Sequence, residues 1–305
     1  MTATDLAPRA TTTATTSTSH TMNLRTLIEH ATAVLTAARV PSPDVDAELL
    51  VAHVLGVSRG RVQALVVTGA RLDAEQRHQV LELVERRAAR EPLQHLTGRA
   101  AFRSLELAVG PGVFVPRPET ELVAQIAIDA LQAMPGGAPT AVDLGTGSGA
   151  IALALATEVP HATVIAVENS PRAFIWAREN VRTIGAPNLR LVFADLADAL
   201  PELDGTLDVV VSNPPYIPLG AIPRDPEVRL HDPEHALYGG DDGLDVVRAV
   251  SATARRLLRS GGTLVLEHGE LQGADIRNLL TADGWRAAAT TRDLLGRDRV
   301  TTALL

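Results

Sequence analysis

Between Asn23 and about Arg90 the apolar residues recur at helical spacing. Leu24, Leu27, Ile28, Ala31, Val34 and Leu35 mark a first helix, which Pro41 and Pro43 break. Asp46 to Val51 opens a second helix, ended by Gly56, and a long third runs from about Asp73, its N-cap, to Arg90. Four or five helices in all predict a small all-helical domain. The period then changes. Leu105, Leu107 and Val109 alternate with other residues, Gly110-Pro111-Gly112 turns the chain, and Val113-Phe114-Val115 returns, a β-hairpin pattern suited to a connector.

From Thr120 onward short apolar strands alternate with helices. Strands are expected at Thr140–Leu144, Thr163–Val167, Leu189–Ala194, Leu207–Ser212 and Gly262–Glu267, with helices at 120–133, 149–158, 171–184, 243–259 and 270–283. A strand pair from Trp285 to Leu305 closes one edge, which makes seven strands. This alternation predicts an α/β fold, a doubly wound and mostly parallel sheet. The organisation is therefore a tail at 1–22, a helical domain at 23–98, a hairpin linker at 99–116 and an α/β domain at 117–305.

Composition narrows what such a fold does. The 305 residues include no cysteine, so disulfides, cysteine zinc sites and thiol nucleophiles are excluded. The formal net charge of −8 argues against an autonomous duplex binder, which needs a basic footprint. No apolar run approaches the roughly 18 residues of a membrane span. Residues 1–22 are rich in Thr, Ser and Ala without an apolar stretch, so a disordered tail is expected rather than a secretory signal. The nine histidines lack metal-ligand spacing, and no catalytic metal is expected.

Two loops carry candidate chemistry. Asp143 and Leu144 end a strand and lead into Gly145-Thr146-Gly147-Ser148-Gly149, followed by a helix. Glycines let the backbone turn tightly and approach a ligand, and the helix N-terminus offers free N–H groups. The glycine spacing differs from that of the dinucleotide fingerprint. Glu168, ending the next strand, suits a pair of ribose hydroxyls, and Asp195, ending the third, suits an adenine amino group. Three acids at successive strand ends around one glycine loop point to a nucleoside, because ligands bind at that edge.

The fourth strand empties into Asn213-Pro214-Pro215-Tyr216. An amide nitrogen is a poor nucleophile because its lone pair is delocalised. The Asn213 side-chain oxygen and the Pro214 carbonyl can accept from its two N–H groups and aim that lone pair. The prolines set the geometry in advance, and Tyr216 offers a flat face and aromatic density near a cation. No strong base is needed beforehand, since the N-methylated, N-protonated amide is acidic.

These two motifs together resemble the class I methyltransferases that act on amide or exocyclic amino nitrogens. Glu91-Pro92-Leu93-Gln94-His95-Leu96-Thr97-Gly98, Phe102, Val115-Pro116-Arg117-Pro118-Glu119-Thr120-Glu121, residues 236–245, Glu267-His268-Gly269 and residues 293–299 narrow the likeness to the release factor glutamine methyltransferases, over about 23–305. The resemblance implies a Rossmann-like methyltransferase sheet and S-adenosyl-L-methionine as cofactor, with S-adenosyl-L-homocysteine as product. It implies class I release factors as protein partners, docked by the helical domain and methylated on the glutamine of their Gly-Gly-Gln loop, in the cytoplasm and by a monomer. Asp143, residues 145–149, Glu168, Asp195, Leu196 and Asn213 would contact the cofactor, and residues 213–216 would hold the glutamine. Phe102 would flank the acceptor, with core packing as its alternative. Arg117 and Glu119 would line the site, or else tie the hairpin to the sheet. Residues 217–242 are expected to order over the acceptor, as a lid or as a static cover, and Glu267 and Arg299 to be ion-pair partners. Glu168 stands where many members have Asp, and Leu196 where several have an aromatic residue. The alternatives are a DNA adenine N6-methyltransferase, a ribosomal protein glutamine methyltransferase and a non-catalytic cofactor-binding scaffold.

Overall fold

The computed structural model describes residues 22–305, so the tail expected at 1–22 lies, but for Met22, outside the described residues. The chain divides into two compact units at Val84/Glu85.

The first unit is helical. Helix α1 (Leu24–Ala37) is capped by Asn23, whose side chain accepts from the Thr26 N–H at 2.9 Å, and it buries Leu24, Leu27, Ala31 and Leu35. Helix α2 (Pro43–Leu55) starts earlier than expected, because Pro43 occupies the first turn, where its missing N–H is no loss. Gly56 ends it in the left-handed region, φ 63°. Helix α3 spans Arg59–Val67. Helix α4 (Ala74–Ala88) opens with a reciprocal cap. Asp73 accepts from the Gln76 N–H at 2.8 Å, and the Gln76 side chain accepts from the Asp73 N–H at 3.2 Å.

The second unit begins in the last turn of α4 and continues through helix α5 (Leu93–Thr97) into a two-stranded hairpin. That hairpin sits earlier than its sequence pattern suggested. Strand β1 (Arg99–Phe102) pairs with β2 (Leu105–Ala108), and the turn falls at Arg103-Ser104 rather than at Gly110-Pro111-Gly112. Arg103 takes a left-handed conformation (φ 53°), anchored by its guanidinium on Glu158 at 2.5 Å and Gln125 at 2.8 Å. Val113–Val115 form no strand. Val113 and Val115 pack with Val109 and Ala173 in a small cluster beside Trp176. Gly110 serves contact rather than turning, since a Cβ there would lie 2.5 Å from the Trp176 ring.

Helix α6 (Thr120–Gln132) leads into the main sheet. Its elements follow in order: β3 (Thr140–Leu144), α7 (Ala150–Glu158), β4 (Thr163–Glu168), α8 (Pro171–Ile184), β5 (Leu189–Phe193), β6 (Leu207–Ser212), α9 (Pro226–His231), α10 (Asp245–Leu257), β7 (Leu258–Glu267), α11 (Gly273–Ala282), β8 (Arg286–Arg292) and β9 (Asp298–Leu304). The spatial order is β5-β4-β3-β6-β7-β9-β8, with β9 antiparallel to both its neighbours and the rest parallel. The seven-stranded, doubly wound sheet expected from sequence is therefore present.

Both faces of the sheet are buried, which explains the unbroken apolar strands. Ala141, Val209, Val211 and Val265 face one core with α6 and α7. Val142, Leu144, Val210, Leu264 and Leu266 face the other, with α10 and α11. The strand order reverses between β3 and β6, the place where open α/β sheets leave a crevice at their carboxyl edge.

An ionic cluster within the second unit joins its first residues to α9. Glu227 pairs with Arg87 at 2.8 Å and with Arg90, and its carboxyl is held well below the usual carboxylate range. Burial works against that, but hydrogen bonds from Asp225, Arg90 and Arg87 outweigh it. Glu227→Ala removes the shared partner of two largely buried guanidinium groups. It should lower stability by about 3 kcal/mol in urea unfolding, against under about 0.5 for a solvated surface pair.

Candidate functional site

The glycine loop is built by its own backbone. The Val167 carbonyl accepts from the N–H groups of both Gly145 and Thr146 at 2.9 Å, which ties the loop to β4. Gly145, Gly147 and Gly149 all lie in the left-handed region, with φ of 75°, 59° and 86°, a conformation that strains any side chain. Asn180, buried in the middle of α8, holds the loop from behind. Its Nδ2 donates to the carbonyls of Ser148 and Ala108, both at 2.9 Å. Sequence reasoning missed Asn180, since nothing in a helix pattern distinguishes a buried amide.

Asp143 corrects an expectation. It does not line the cavity and is 1% exposed. Its Oδ2 accepts from the Thr146 hydroxyl at 2.6 Å and the Ala152 N–H at 3.2 Å, so it bolts the loop to α7 instead of touching a ligand. Burial pushes its carboxyl up to about 7. Glu168 does line the cavity, folded against the loop. It accepts from the Gly147 and Ser170 N–H groups at 2.8 Å each, and burial pushes its pKa up. A carboxylate has about four lone-pair sites, so both oxygens keep acceptor capacity. Asp195 accepts from Asn169 Nδ2 at 2.9 Å and from the Ala197 N–H at 3.0 Å, and it lines the cavity beside Leu196.

The second loop leaves β6 beside the first. Ser212 Oγ donates to the Leu144 carbonyl at 2.7 Å, so the two strand exits are joined directly. Asn213 Nδ2 faces Thr120 Oγ1 at 3.5 Å. The Tyr216 carbonyl accepts from Gln272 Nε2 at 2.9 Å, and Gln272 Oε1 accepts from the Gly269 N–H at 2.9 Å. Burial pushes the Tyr216 phenol up, so it stays protonated. Residues 217–242 carry α9, pair Ile217 with Tyr238, and form one wall of the cavity. Close approach explains two glycines here. A Cβ on Gly239 would lie 2.5 Å from the Pro215 carbonyl oxygen, and one on Gly243 would lie 2.3 Å from that of Tyr216.

Arg117 and Glu119 line the same cavity. Arg117 pairs with Asp232 at 2.6 Å and stacks 5.1 Å from the Phe114 ring centre. Phe102 does not reach it. The ring is 1% exposed and packs in the core with Leu107, Val123 and Leu155, because an aromatic at the end of β1 faces the sheet. Arg299 has an ion-pair partner, though not Glu267. Its nearest ion-pair partner is Asp293 at 3.8 Å, and its Nη1 donates to the His268 carbonyl, so no pair with Glu267 forms.

Glycine loop, Glu168, Asp195, Leu196 and Asn213 to Tyr216 thus surround one cavity of about 970 Å³. Small-molecule sites run to about 1,000 Å³. S-adenosyl-L-methionine fits the donor set. The loop offers backbone N–H groups and a helix start, the acids sit at strand ends, and Leu144, Ile151 and Leu196 supply apolar walls. Among the described residues no group of His, Asp or Glu is arranged to hold a metal.

Comparison with known proteins agrees over nearly the whole chain. A family model described as the PrmC N-terminal domain matches residues 26–98, and one described as the methyltransferase small domain matches 104–221. A protein named release factor glutamine methyltransferase from Streptomyces coelicolor is 52% identical over 278 residues, covering 90% of this chain and 96% of its own length. The protein of that name from Mycolicibacterium smegmatis is 51% identical, covering 92% and 97%. A 4-amino-L-phenylalanine/4-methylamino-L-phenylalanine methyltransferase from Streptomyces pristinaespiralis is 41% identical, covering 87% and 89%.

The Asp143 carboxyl has a stability consequence. Its folded pKa of about 7 lies above the unfolded value of about 3.9, so the folded state holds a proton that the unfolded chain releases. Its contribution to stability is full below about pH 4 and is lost as pH rises through about 7. Asp143→Asn keeps an oxygen for Thr146 and Ala152. Urea unfolding of the variant at pH 5 and 7.5 should show a slope shallower than wild type by on the order of 1 kcal/mol per pH unit.

Proposed function

The chain belongs to the release factor glutamine methyltransferase family, and on that premise we propose that it methylates the side-chain amide nitrogen (N5) of the glutamine in the Gly-Gly-Gln motif of class I peptide chain release factors. One observation carries the assignment of the site: the glycine loop after β3 and the Asn-Pro-Pro-Tyr turn after β6 line a single cavity. S-adenosyl-L-methionine, when bound, supplies an electrophilic methyl group on a sulfonium.

The chain's own residues orient the two reactants. N–H groups of Gly145 to Gly149 and the start of α7 receive the polar end of the cofactor, Glu168 accepts from ribose hydroxyls and Asp195 from the adenine amino group. Leu196 gives the base an apolar contact in place of a stacked ring. Asn213 Oδ1 and the Pro214 carbonyl accept from the two N–H groups of the glutamine amide and hold its nitrogen toward the methyl donor. Because Pro214 and Pro215 fix φ, this geometry precedes binding. Tyr216 covers the planar amide. The reaction needs no metal. Arg117, held by Asp232, and Glu119 line the approach, and residues 23–98 dock the protein substrate. This reading places the enzyme in the cytoplasm, acting as a monomer on protein rather than nucleic acid, in keeping with the net charge of −8.

Incubation with methyl-labelled cofactor and a bacterial class I release factor should place the label on the Gly-Gly-Gln glutamine. Label on DNA, on a ribosomal protein or on a free aromatic amine instead would overturn the substrate assignment. Asn213→Ala should lower turnover by about 100-fold while cofactor affinity stays within about threefold, the pattern of a lost orienting contact. Wild-type turnover in that variant would remove Asn213 from the mechanism.

A further inference from the structure

Ser148 sits between two glycines that both lie in the left-handed region, Gly147 at φ 59° and Gly149 at φ 86°. Glycine accepts either sign of φ, so the peptide joining Ser148 to Gly149 can rotate at little cost to the backbone itself. Its direction matters. Ser148, Ala150 and Ile151 line the cavity, and a helix start attracts the polar end of a ligand through its free N–H groups. A rotated peptide would turn the Ser148 carbonyl away from α8 and set a negative dipole against an incoming carboxylate. Helix α7 has no side-chain cap of its own to prevent this.

Asn180 prevents it from α8. Its Nδ2 carries two protons and donates to the carbonyls of Ser148 and Ala108, each at 2.9 Å, while its Oδ1 accepts from the Ala108 N–H at 2.7 Å. These three bonds leave the carboxamide one orientation, since a turned amide would set its oxygen against two carbonyls. The peptide is held at its other end by the Gly149 N–H, which donates to the Thr146 carbonyl at 2.9 Å. Asn180 is 2% exposed and lies outside the cavity lining, so it acts on a ligand only through the loop.

The same side chain ties the loop to a second part of the cavity wall. Arg172, Trp176 and Asn180 are spaced four residues apart, on one face of α8. That face carries residues 108–112. Trp176 Nε1 donates to the Pro111 carbonyl at 3.4 Å, and a Cβ on Gly110 or Gly112 would lie 2.5 Å from Trp176 or 2.8 Å from Arg172. The chain then runs on through Gly112, Phe114 and Arg117, which line the cavity. Asn180 bonds to both this segment and the glycine loop.

We propose that Asn180 is a positioning residue for the cofactor: by pinning the Ser148 carbonyl beside Ala108, it keeps the glycine loop in the one peptide orientation that receives S-adenosyl-L-methionine. The proposal rests on that cofactor occupying the cavity with its polar end at the loop.

The test titrates the full-length enzyme with S-adenosyl-L-homocysteine in a calorimeter, well below the thermal midpoint. Asn180→Ala should weaken binding by about 10-fold or more. Its kcat at saturating cofactor should stay within about threefold of wild type. Asn180→Asp, which keeps the oxygen for the Ala108 N–H but lacks the NH₂, should lose affinity to the same degree. Asn188 is a matched control, because its Nδ2 donates to the carbonyls of Ala156 at 3.1 Å and Ala162 at 3.0 Å, away from the cavity. Asn188→Ala should lower the thermal midpoint and leave affinity within about twofold. Wild-type affinity in Asn180→Ala, or an equal loss in Asn188→Ala, would overturn the proposal and leave the cofactor assignment standing. Absence of binding by the wild type would overturn both. If neither Asn180 variant folds, hydrogen exchange of the Asn180 side-chain amide in the wild type decides: protection supports the proposal, and exchange at the rate of a surface amide overturns it.

Discussion

One short hydrogen bond, from Ser212 Oγ to the Leu144 carbonyl at 2.7 Å, brings the two functional loops together. It joins the exits of β3 and β6, which run parallel in direct register from Ala141↔Val209 to Asp143↔Val211. Because the strand order reverses between these neighbours, the chain departs from their carboxyl ends in opposite directions and leaves a crevice between. On the proposed reading, sheet geometry alone brings a nucleoside on one lip within reach of a planar amide on the other. Neither loop needs to move far to meet the other, which is why both can be stiff.

That stiffness is obtained with buried acceptors. Asp143, Glu168, Asp232 and Glu267 are each under 10% exposed, and burial pushes the carboxyl of each upward. Three of them orient a neighbour: Asp143 the Thr146 hydroxyl, Glu168 the Gly147 N–H, and Asp232 the Arg117 guanidinium. A buried acceptor costs stability, yet it dictates direction in a way an apolar side chain cannot. The protein thus carries a penalty at its carboxyl edge that the two apolar layers of the sheet offset.

Much of the fold was legible because its signals are local. Strands at 140–144 and 207–212 are short apolar runs buried on both faces, and the helix at 171–184 is bounded by Ser170-Pro171 and Gly185. The two functional loops were legible for the same reason, since glycine and proline act on their own backbone. What failed depended on partners far along the chain. Arg103 makes the hairpin turn only because Glu158 and Gln125 receive its guanidinium. Phe102 points into the core, where it meets residues of α6 and α7 such as Val123 and Leu155. Asp143 turns away from the cavity because Thr146 and Ala152 draw it inward. No periodicity contains those pairings.

The glycines after the catalytic turn extend the same logic. Prolines at 214 and 215 supply no N–H, so the turn cannot brace itself through its own ladder. It is braced from outside. Gln272 holds the Tyr216 carbonyl, and the Ile217 N–H and carbonyl pair with Leu237 and Gly239 at 2.9 Å. That pairing works only if 239 and 243 approach the turn more closely than any Cβ allows. The segment 217–242 is consequently part of the turn's scaffold rather than a flap hung over it. A ligand that enters this cavity meets a wall already fixed at Pro215, Tyr216 and Ile217, and farther out Leu219 and Ile222 are 60% and 73% exposed.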